Sequence, residues 1–518
     1  MREEILRMER VTYREQGVTL LENFNMTIWA GEILGLVPAN HFGLNALVRL
    51  LRQNLPLHYG YVYYREKLVN DWRHPGGGVN DANMNSSGVN LMNMNPIGMN
   101  RMSMNRISVI QNKSCLAEGL TVADNIFVLR PGFKKRIMQP RVLEEQLQPF
   151  LQDIGVEISA DAYIEELTDF ERFVVELLKA VVAGNHLVVL EDISTFISVE
   201  ELEKLSAILR HYAERGMSFL YIAAHFEEAR QVCGSTALML NGQIIKGFRA
   251  SDRAPDPFFL HCTEDFDRHV REQMERRQKP EMDRTVFKAG GISCGQIRNL
   301  DFSVAGGECL VMQDLDNCMI QELIPVLSGE QQLKEGRLLI NGTPLAGYND
   351  RRMAIIQELP VHSMLFSNMS YLDNLCFTLD HRMKGVWGNG HIKKSLRQEY
   401  AGFLGEDVFN LPVDKLTEWQ KYDLIYTRIF LQNPEIVFCV QPFKSAEVSL
   451  RIHIMELLER FLNKGIPVVI MAVNLADSLA LADRLLRVRR GGSVQEYHRD
   501  EFAALPGNTP WLYLYQGK

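Results

Sequence analysis

The chain has 518 residues, of which 46% are hydrophobic and 23% charged, the composition of a water-soluble globular protein. At about 100 to 200 residues per domain, this length predicts two to four domains. The 56 basic and 64 acidic residues leave a formal net charge of −8, which argues against binding of nucleic acid through overall charge. The sequence has no long apolar run and its first residues, MREEILRMERVTYRE, lack an apolar core, so we expect neither a membrane-spanning helix nor secretion.

The eight cysteines are scattered along the chain without a CxxC pair. This spacing is typical of reduced thiols in a cytosolic protein, and it favours neither a disulfide framework nor a zinc site. We therefore expect no metal site built from cysteines.

A strand, a loop and a helix are predicted over residues 31–51, GEILGLVPANHFGLNALVRLL. The apolar run 33–37 has the length of a buried parallel strand. Four apolar residues after Gly43 fall on one helical face: Leu44, Leu47, Val48 and Leu51. This frame is that of a P-loop, GxxxxGK[ST], and here it reads PANHFGLNA.

GEILGLV before this loop and the leucine-rich helix after it resemble the start of an ABC-type ATP-binding cassette. The resemblance implies a site for ATP and Mg²⁺. However, Pro38 replaces the first glycine and has no backbone N–H. Leu44 stands at the position of the phosphate-binding lysine, and Asn45 replaces the hydroxyl that holds Mg²⁺. These replacements predict that nucleotide binding here is weak or absent.

Two neighbouring segments carry further parts of the resemblance. Gln111 lies at the Q-loop position, where the family uses a glutamine for Mg²⁺ contact and for coupling to a membrane partner, and 120–127 reads LTVADNIF, as in the family. Tyr13 lies where cassette families often place an aromatic ring against adenine. A half-buried sheet tyrosine is an equally good interpretation of Tyr13.

The family signature, LSGGQ, is altered at residues 167–171, which read LTDFE. Both glycines are lost, and we expect Asp169 and Glu171 to present carboxylates that repel a triphosphate. The Walker B segment, HLVVLEDIST, ends in Glu191 and then Asp192, the reverse of the family order. The switch histidine position holds Ala224, one residue before His225.

No residue is assigned as catalytic. If nucleotide binds, the resemblance places it in the first half of the chain, on Tyr13, Asn40, Gly43, Asn45, Gln111, Glu191 and Asp192.

The pattern occurs twice. GEIL at residue 31 recurs as GECL at 307, and LTDFERF at 167 recurs as LTEWQKY at 416, so the first copy carries an insertion. Residues 76–105 supply it, in a tract rich in Asn and Met that cannot build a core of its own. A flexible surface loop is one interpretation, and a Met-rich docking surface is the other.

The second copy departs further from the family. Its loop, MQDLDNCMIQE, has no glycine, and Asp314 and Asp316 lie where phosphates would be bound. Val440 and Gln441 replace the two Walker B carboxylates, whereas Gln357 remains at the Q-loop position. We expect no phosphate-binding loop in this half.

The tandem layout is similar to that of ATP-binding subunits of bacterial monosaccharide importers of the ribose, galactose and xylose types. We therefore predict an α/β fold of two P-loop NTPase-like cassettes, each with a mainly parallel sheet and a helical subdomain, packed face to face. The expected domains are 1–247 and 287–518, joined by a linker at 248–286.

Two functions remain open. The chain either serves a sugar-type importer with little or no ATP hydrolysis, or is a pseudo-ATPase that acts as an adaptor or regulator of a permease or membrane sensor. The resemblance implies a membrane permease as partner, together with a solute-binding protein. It also implies a cytoplasmic location at the inner face of the membrane.

Overall fold

The computed structural model describes residues 3–40, 42–53, 55–73, 107–111, 114–128, 140–193, 197–223, 225–249, 268, 270–272, 284–345, 350–377, 388–444, 446, 448–475 and 477–505. The Asn/Met-rich insertion and most of the expected linker lie outside these residues. The chain divides into two compact units, Met1–Ile197 with Glu201–Thr263, and Glu264–Lys518 with Ser198–Glu200.

The first unit begins with an antiparallel sheet in the order β2-β1-β4-β5. Its strands are β1 (Glu4–Glu15), β2 (Val18–Trp29), β4 (Tyr59–Tyr64) and β5 (Lys67–Asp71). Side chains alternate between the two faces of a strand. On β1, Leu6 and Met8 are buried while Arg7 and Glu9 are partly exposed. One face of this sheet therefore packs into the core.

The central sheet of the first unit has the order β10-β9-β3-β8-β7-β6. All neighbours are parallel except the β9–β10 hairpin. Its strands are β3 (Ile33–Pro38), β6 (Ile107–Ile110), β7 (Leu187–Glu191), β8 (Ser218–Ile222), β9 (Ser235–Leu240) and β10 (Gln243–Arg249). The fully buried β3 lies in the middle of this sheet, as its apolar run predicts.

The helices of the first half of the chain are α1 (Leu44–Arg52), α2 (Val122–Phe127), α3 (Pro140–Ile154), α4 (Asp169–Val182), α5 (Val199–Glu214) and α6 (Phe226–Val232). A 3-10 turn, Ile164–Glu166, precedes α4. Because α2 packs on both α3 and α4, these three helices form the helical subdomain of the unit.

The two faces of the central sheet pack into different cores. Along β7, Val188 and Leu190 join a cluster with residues of α2 to α5. The alternate residues, Leu187 and Val189, join a second cluster with α1 and the antiparallel sheet. The sheet is therefore covered by apolar side chains on both faces, as a parallel sheet requires.

The second unit repeats both sheets. An antiparallel sheet has the order β12-β11-β14-β15, and a mainly parallel sheet has the order β16-β17-β18-β13-β19-β20. The strands are β11 (Thr285–Cys294), β12 (Ile297–Ala305), β13 (Cys309–Asp314), β14 (Glu335–Ile340), β15 (Thr343–Pro344), β16 (Met353–Ile356), β17 (Ile436–Val440), β18 (Val468–Ala472), β19 (Arg484–Val488) and β20 (Val494–His498).

The helices of the second half of the chain are α7 (Met319–Ser328), α8 (Pro360–Ser363), α9 (Tyr371–Cys376), α10 (Gly388–Leu404), α11 (Glu418–Gln432), α12 (Val448–Asn463) and α13 (Ser478–Leu481). Short 3-10 turns span Glu406–Asn410, Val413–Lys415 and Arg499–Ala504. Here α9 packs on α11, in the place that α2 and α4 have in the first unit.

One asparagine in each unit shows how closely the two copies match. Asn125 accepts the N–H of Ala117 (2.8 Å) and donates to the carbonyl of the same residue (3.1 Å). Asn374 does the same with Phe366, at 2.9 and 3.0 Å. The predicted fold of two tandem α/β cassettes is confirmed. No helix among the described residues is long and apolar enough to cross a membrane.

Candidate functional site

The first loop joins β3 to α1 through a tight turn at Gly43. This residue has φ +80°, and a Cβ atom there would lie 2.2 Å from the carbonyl oxygen of Leu20. Only glycine fits such an approach. The loop is therefore pressed against β2, and its shape is fixed by backbone contact.

Leu44, at the lysine position, is 3% exposed and belongs to the core beneath the antiparallel sheet. The neighbouring Asn45 is exposed. Because the apolar face of α1 begins at Leu44, the helix turns this side chain inward. The position that carries the phosphate-binding cation in a P-loop is here a core position.

Asn40 is joined to the β9–β10 turn. Its amide nitrogen donates to the side-chain oxygen of Asn241 (2.8 Å), and its own oxygen accepts the Asn241 N–H (3.2 Å). Both groups of the Asn40 amide are thus used within the protein.

Gln111 and Glu191 lie together at the carboxyl ends of β6 and β7. The Gln111 amide donates to the Glu191 carboxylate, and the Gln111 oxygen accepts from Arg52 (3.0 Å). Arg52 ends α1, where a cation also complements the helix dipole. The three side chains form a row in which the glutamine bridges a cation and an anion.

Asp192 follows β7 in the left-handed region, with φ +51°. Its N–H donates to the carbonyl oxygen of Ile222 (3.2 Å). Aspartate tolerates this conformation better than most residues do. Gln441 occupies the matching place after β17 with φ +44°, so the same turn is kept although the side chain has changed.

A buried carboxylate contacts the segment that follows Gln111. Glu176 of α4 is 8% exposed and accepts hydrogen bonds from the Ser114 hydroxyl (2.7 Å) and the Cys115 N–H (2.6 Å). Burial raises the pKa of Glu176 above its ordinary value, although both hydrogen bonds act in the opposite direction. Burial also lowers the pKa of the nearby Lys179 ammonium.

The altered signature segment forms a helix cap. The Thr168 hydroxyl accepts the Glu171 N–H (3.2 Å), and the Glu171 carboxylate accepts the Thr168 N–H (2.8 Å). This is the reciprocal capping box. Asp169 lies 3.6 Å from Arg172. The Glu171 carboxylate therefore turns back onto its own helix instead of pointing outward as we expected.

The second loop is occupied by a carboxylate of its own chain. Asp314 ends β13, is 0% exposed and accepts the N–H groups of Cys318 (3.1 Å) and Ile320 (2.9 Å). Burial raises its pKa, opposed by these backbone hydrogen bonds. In a P-loop, such N–H groups at the start of the helix bind phosphate. Here they already have an anionic acceptor.

The end of β17 holds a different set of polar groups. Gln441 donates to Glu358 (3.3 Å), and Lys444 forms an ion pair with the same carboxylate. Gln357 is exposed. In the first unit the amide follows β6 and the carboxylate ends β7, as Gln111 and Glu191. In the second unit the carboxylate follows β16 and the amide follows β17, so the two groups have exchanged strands. Among the residues that the structure describes, no cluster of His, Cys, Asp or Glu could hold a metal ion.

The sequence relatives cover almost the full length of the chain. The ribose import ATP-binding protein RbsA of Clostridium perfringens (strain 13) is 20% identical over 518 residues, 96% of each chain. RbsA 1 of Streptomyces avermitilis is 21% identical over 508 residues, 96% of this chain and 92% of the relative. A putative ribose/galactose/methyl galactoside import ATP-binding protein of Halalkalibacterium halodurans is 20% identical with the same coverage. No protein-family model matches the chain.

Among solved structures, an RNase-L inhibitor aligns with 97% of this chain and 95% of its own, with a TM-score of 0.56 and 12% identity. The chain has the fold of two tandem ATP-binding cassettes.

The structure brings together some of the residues that the sequence predicts for the nucleotide site. Gln111 contacts Glu191 directly, and Asp192 follows in the same turn. Asn40 and Gly43 lie in the first loop, and Asn45 is the second residue of α1. Tyr13 is 6% exposed and packs in the core beneath its sheet, the place of a sheet tyrosine. Ala224 is outside the described residues, and His225 is buried at 4% exposure.

Sequence reasoning missed three contributors to the cassette site, namely Arg52, Glu176 and the acceptor role of Asp314. The cap at Thr168 could have been found, because T-x-x-E before an apolar helix is a capping signal. The contact between Arg52 and Gln111 has no such local signal, since it joins residues far apart in the chain.

Proposed function

We propose that this tandem cassette protein is the cassette subunit of a sugar-type importer and hydrolyses ATP little or not at all. It would act at the cytoplasmic face of the membrane, docked on a permease that works with a solute-binding protein. The relatives named for ribose import, which match nearly the whole chain, support the importer assignment.

The observation that carries the loss of hydrolysis is the buried Asp314 carboxylate, bound to the N–H groups of Cys318 and Ile320. A triphosphate at this loop would meet an anion in place of free donors, at a close like-charge distance. The residues of the second loop therefore do not fit ATP.

The first loop also supports the proposed loss of hydrolysis, because it lacks residues that bind Mg²⁺·ATP. Mg²⁺·ATP needs a cation at the β and γ phosphates and a hydroxyl on the metal. The cation position is the core residue Leu44, and Pro38 offers no N–H. Glu191 is the remaining carboxylate at the metal position, and it is bound by the Gln111 amide.

A second candidate is an adaptor or regulator of a permease or sensor, with no transport of its own. The segments that follow Gln111 and Gln357 have the same hydrogen bonds in both units. This similarity favours docking on a partner, whether the protein is an importer subunit or an adaptor. The Asn125 and Asn374 contacts are intact in both units although most phosphate-contacting positions have changed. In ABC importers this region lies beside the groove that receives the permease.

Membrane association tests the proposed docking. Ala117 and Glu118 are exposed on the segment that Asn125 holds in place. We expect the protein to co-purify from membranes with a co-expressed neighbouring permease, and Ala117→Arg with Glu118→Arg to abolish this. Loss of a well-packed contact at such a site weakens binding by about 100-fold.

The matched control is Val18→Arg with Glu22→Arg, which makes the same change of charge at two exposed residues of β2. This variant should co-purify like the wild type. A wild-type protein that stays in the soluble fraction beside its permease would contradict the proposal. So would equal losses in the two variants.

A further inference from the structure

The outer face of the first antiparallel sheet carries a row of tyrosines on β4. Tyr59, Tyr61 and Tyr63 alternate along this strand, and each side chain is exposed or partly exposed. The strand pairing of the second unit gives the matching residues of β14, which are Glu335, Arg337 and Leu339. The tyrosine row is therefore a feature of the first unit and not a requirement of the fold.

Two aromatic rings and two arginines form a cluster where the tyrosine row begins. The rings of Tyr59 and Trp72 have centroids 5.6 Å apart and are tilted by 32°. The guanidinium carbon of Arg10 is 5.8 Å from the Tyr59 centroid, and that of Arg73 is 5.5 Å from the Trp72 ring. Both arginines are exposed, and among the residues that the structure describes neither forms an ion pair. This ring–arginine cluster thus carries positive charge that the chain does not neutralise.

The backbone of Arg10 lies in a conformation that most residues avoid. β1 has a bulge at this point, and Arg10 has φ +47°. β11 has the same bulge, where Gly291 with φ +58° takes the place of Arg10. In each unit a glycine of the neighbouring strand faces the bulge, and a Cβ atom there would lie 2.5 Å from the carbonyl oxygen of Arg10 or of Gly291. Glycine adopts positive φ without strain. Arginine carries strain that the second unit avoids, which points to a use for its side chain.

The other end of the tyrosine row is neutralised within the chain. The Arg7 guanidinium carbon is 4.0 Å from the Tyr63 centroid, and Arg7 forms ion pairs with Glu4 (2.9 Å) and with Glu9. Glu9 also lies opposite Tyr61 in the sheet. These carboxylates would repel a phosphate backbone that ran along the row, because its charge is uniform. The face therefore favours a protein segment, whose negative charge can be confined to the end with the ring–arginine cluster.

We propose that the tyrosine row and the ring–arginine cluster form a docking surface for a protein segment that carries acidic residues beside apolar or aromatic ones. Arg10 and Arg73 donate to the carboxylates, because a guanidinium that contacts a ring through its face keeps its N–H edge for an acceptor. Tyr59, Tyr61 and Trp72 receive the apolar side chains. Tyrosine, tryptophan and arginine are the residue types enriched at the centres of protein interfaces.

This surface is separate from the permease contact proposed above. It lies on the antiparallel sheet, whereas that contact involves the segment after Gln111. Purified protein without permease or nucleotide is sufficient to test it, and Ala117→Arg with Glu118→Arg should leave it intact. Either proposal can therefore fail while the other holds.

The first test asks whether Arg10 supports the fold. Arg10→Gly gives β1 the residue that the second unit has at its bulge, so we expect the melting temperature to stay unchanged or to rise by about 2 °C. The control is Arg14→Gly, at another exposed arginine of the same strand, which should lower the melting temperature by about 2 to 4 °C. An equal or larger fall for Arg10→Gly would make Arg10 structural and overturn the proposal.

The second test is recognition, with random peptides displayed on phage and selected on the wild-type protein. Counter-selection uses Arg10→Gly and Tyr59→Glu, since both introduce the residue of the second unit. We expect the peptides that discriminate to share acidic residues beside apolar or aromatic ones, and to bind each variant at least about ten-fold more weakly. They should bind Arg14→Gly like the wild type. Changing their acidic residues to amides should weaken binding as much as Arg10→Gly does.

Three results would overturn the proposal at this stage. They are peptides that bind Arg10→Gly and Tyr59→Glu as well as the wild type, the absence of any peptide that depends on Arg10, and displacement of the peptides by single-stranded oligothymidine at equal ionic strength. The last result would indicate a surface for nucleic acid. Arg73→Gln repeats each measurement at the second cation should Arg10→Gly fail to fold.

Discussion

At the scale of single residues, two buried carboxylates do different work in the two units. Asp314 ends a strand and accepts the N–H groups that open α7. Glu176 lies within α4 and fixes the backbone at Cys115. Burial raises the pKa of both acids. Neither role is visible in the sequence, because each depends on which backbone the fold brings to the carboxylate.

Asp314→Ala should lower the free energy of unfolding by about 2 to 4 kcal/mol, because buried N–H groups lose their acceptor. Urea unfolding measures this, with Asp316→Ala as the control, since Asp316 is partly exposed and accepts the single N–H of Arg490. We expect the control to cost about 1 kcal/mol. Sulfate should then stabilise Asp314→Ala more than the wild type, because it can occupy the vacated donors. Equal costs for the two variants would contradict the anion role of Asp314.

The free energy of unfolding of the Glu176→Gln variant should increase relative to that of the wild type as the pH rises. The native Glu176 has a raised pKa, so the unfolded chain loses this proton first on raising the pH. Wild-type stability therefore falls from the ordinary pKa, 4.5, up through the raised value, and the glutamine variant lacks this loss. Urea unfolding of both proteins between about pH 4 and about pH 8 measures the difference. Parallel curves for the two proteins would show that the pKa of Glu176 is not raised in the folded protein.

At the scale of elements, we consider the helix N-termini that correspond to those that bind phosphate in ABC cassettes. Here their backbone N–H groups donate to side chains of this chain. Thr168 and Glu171 cap α4, and Thr417 and Gln420 form the same reciprocal cap on α11. Asp314 closes α7. Each cap satisfies donors that a ligand would otherwise meet. These backbone donors thus have acceptors within the chain.

Thr168→Ala and Thr417→Ala should each lower the free energy of unfolding by about 1 kcal/mol, whereas Thr168→Ser should keep most of it because the hydroxyl remains. Chemical unfolding of the three variants provides the comparison. If alanine and serine at residue 168 were equivalent, the cap would contribute nothing.

The elements themselves followed from the sequence, and the contacts between them did not. The apolar run 33–37 predicts β3, and the spacing of Leu44, Leu47, Val48 and Leu51 predicts α1. The prediction that the Glu171 carboxylate points outward was wrong. It gave more weight to the place of Glu171 in the family motif than to the capping pattern. Arg52 reaches Gln111 through the tertiary fold alone.

At the scale of the whole molecule, the sheets recur in the two units, while the two loops at the P-loop positions hold different residues. The first loop has the buried Leu44 at the lysine position, and the second loop has the internal carboxylate of Asp314. Under the proposed function, we expect that neither loop supports ATP hydrolysis.

Restoring two family residues in the first loop, Leu44→Lys with Asn45→Ser, should not produce ATP hydrolysis. Residues that act as a unit are strongly non-additive, and Pro38 still lacks its N–H. The lysine would also enter a core position, at a cost of about 3 kcal/mol or more in stability. Turnover by this variant would show that the remaining site is intact.

The steady-state rate of ATP hydrolysis by the purified protein with Mg²⁺ is the most direct measurement, made on the wild type beside Asp192→Asn. We expect both proteins to match the buffer blank. A wild-type rate above the blank that Asp192→Asn abolishes would contradict the proposed loss of hydrolysis.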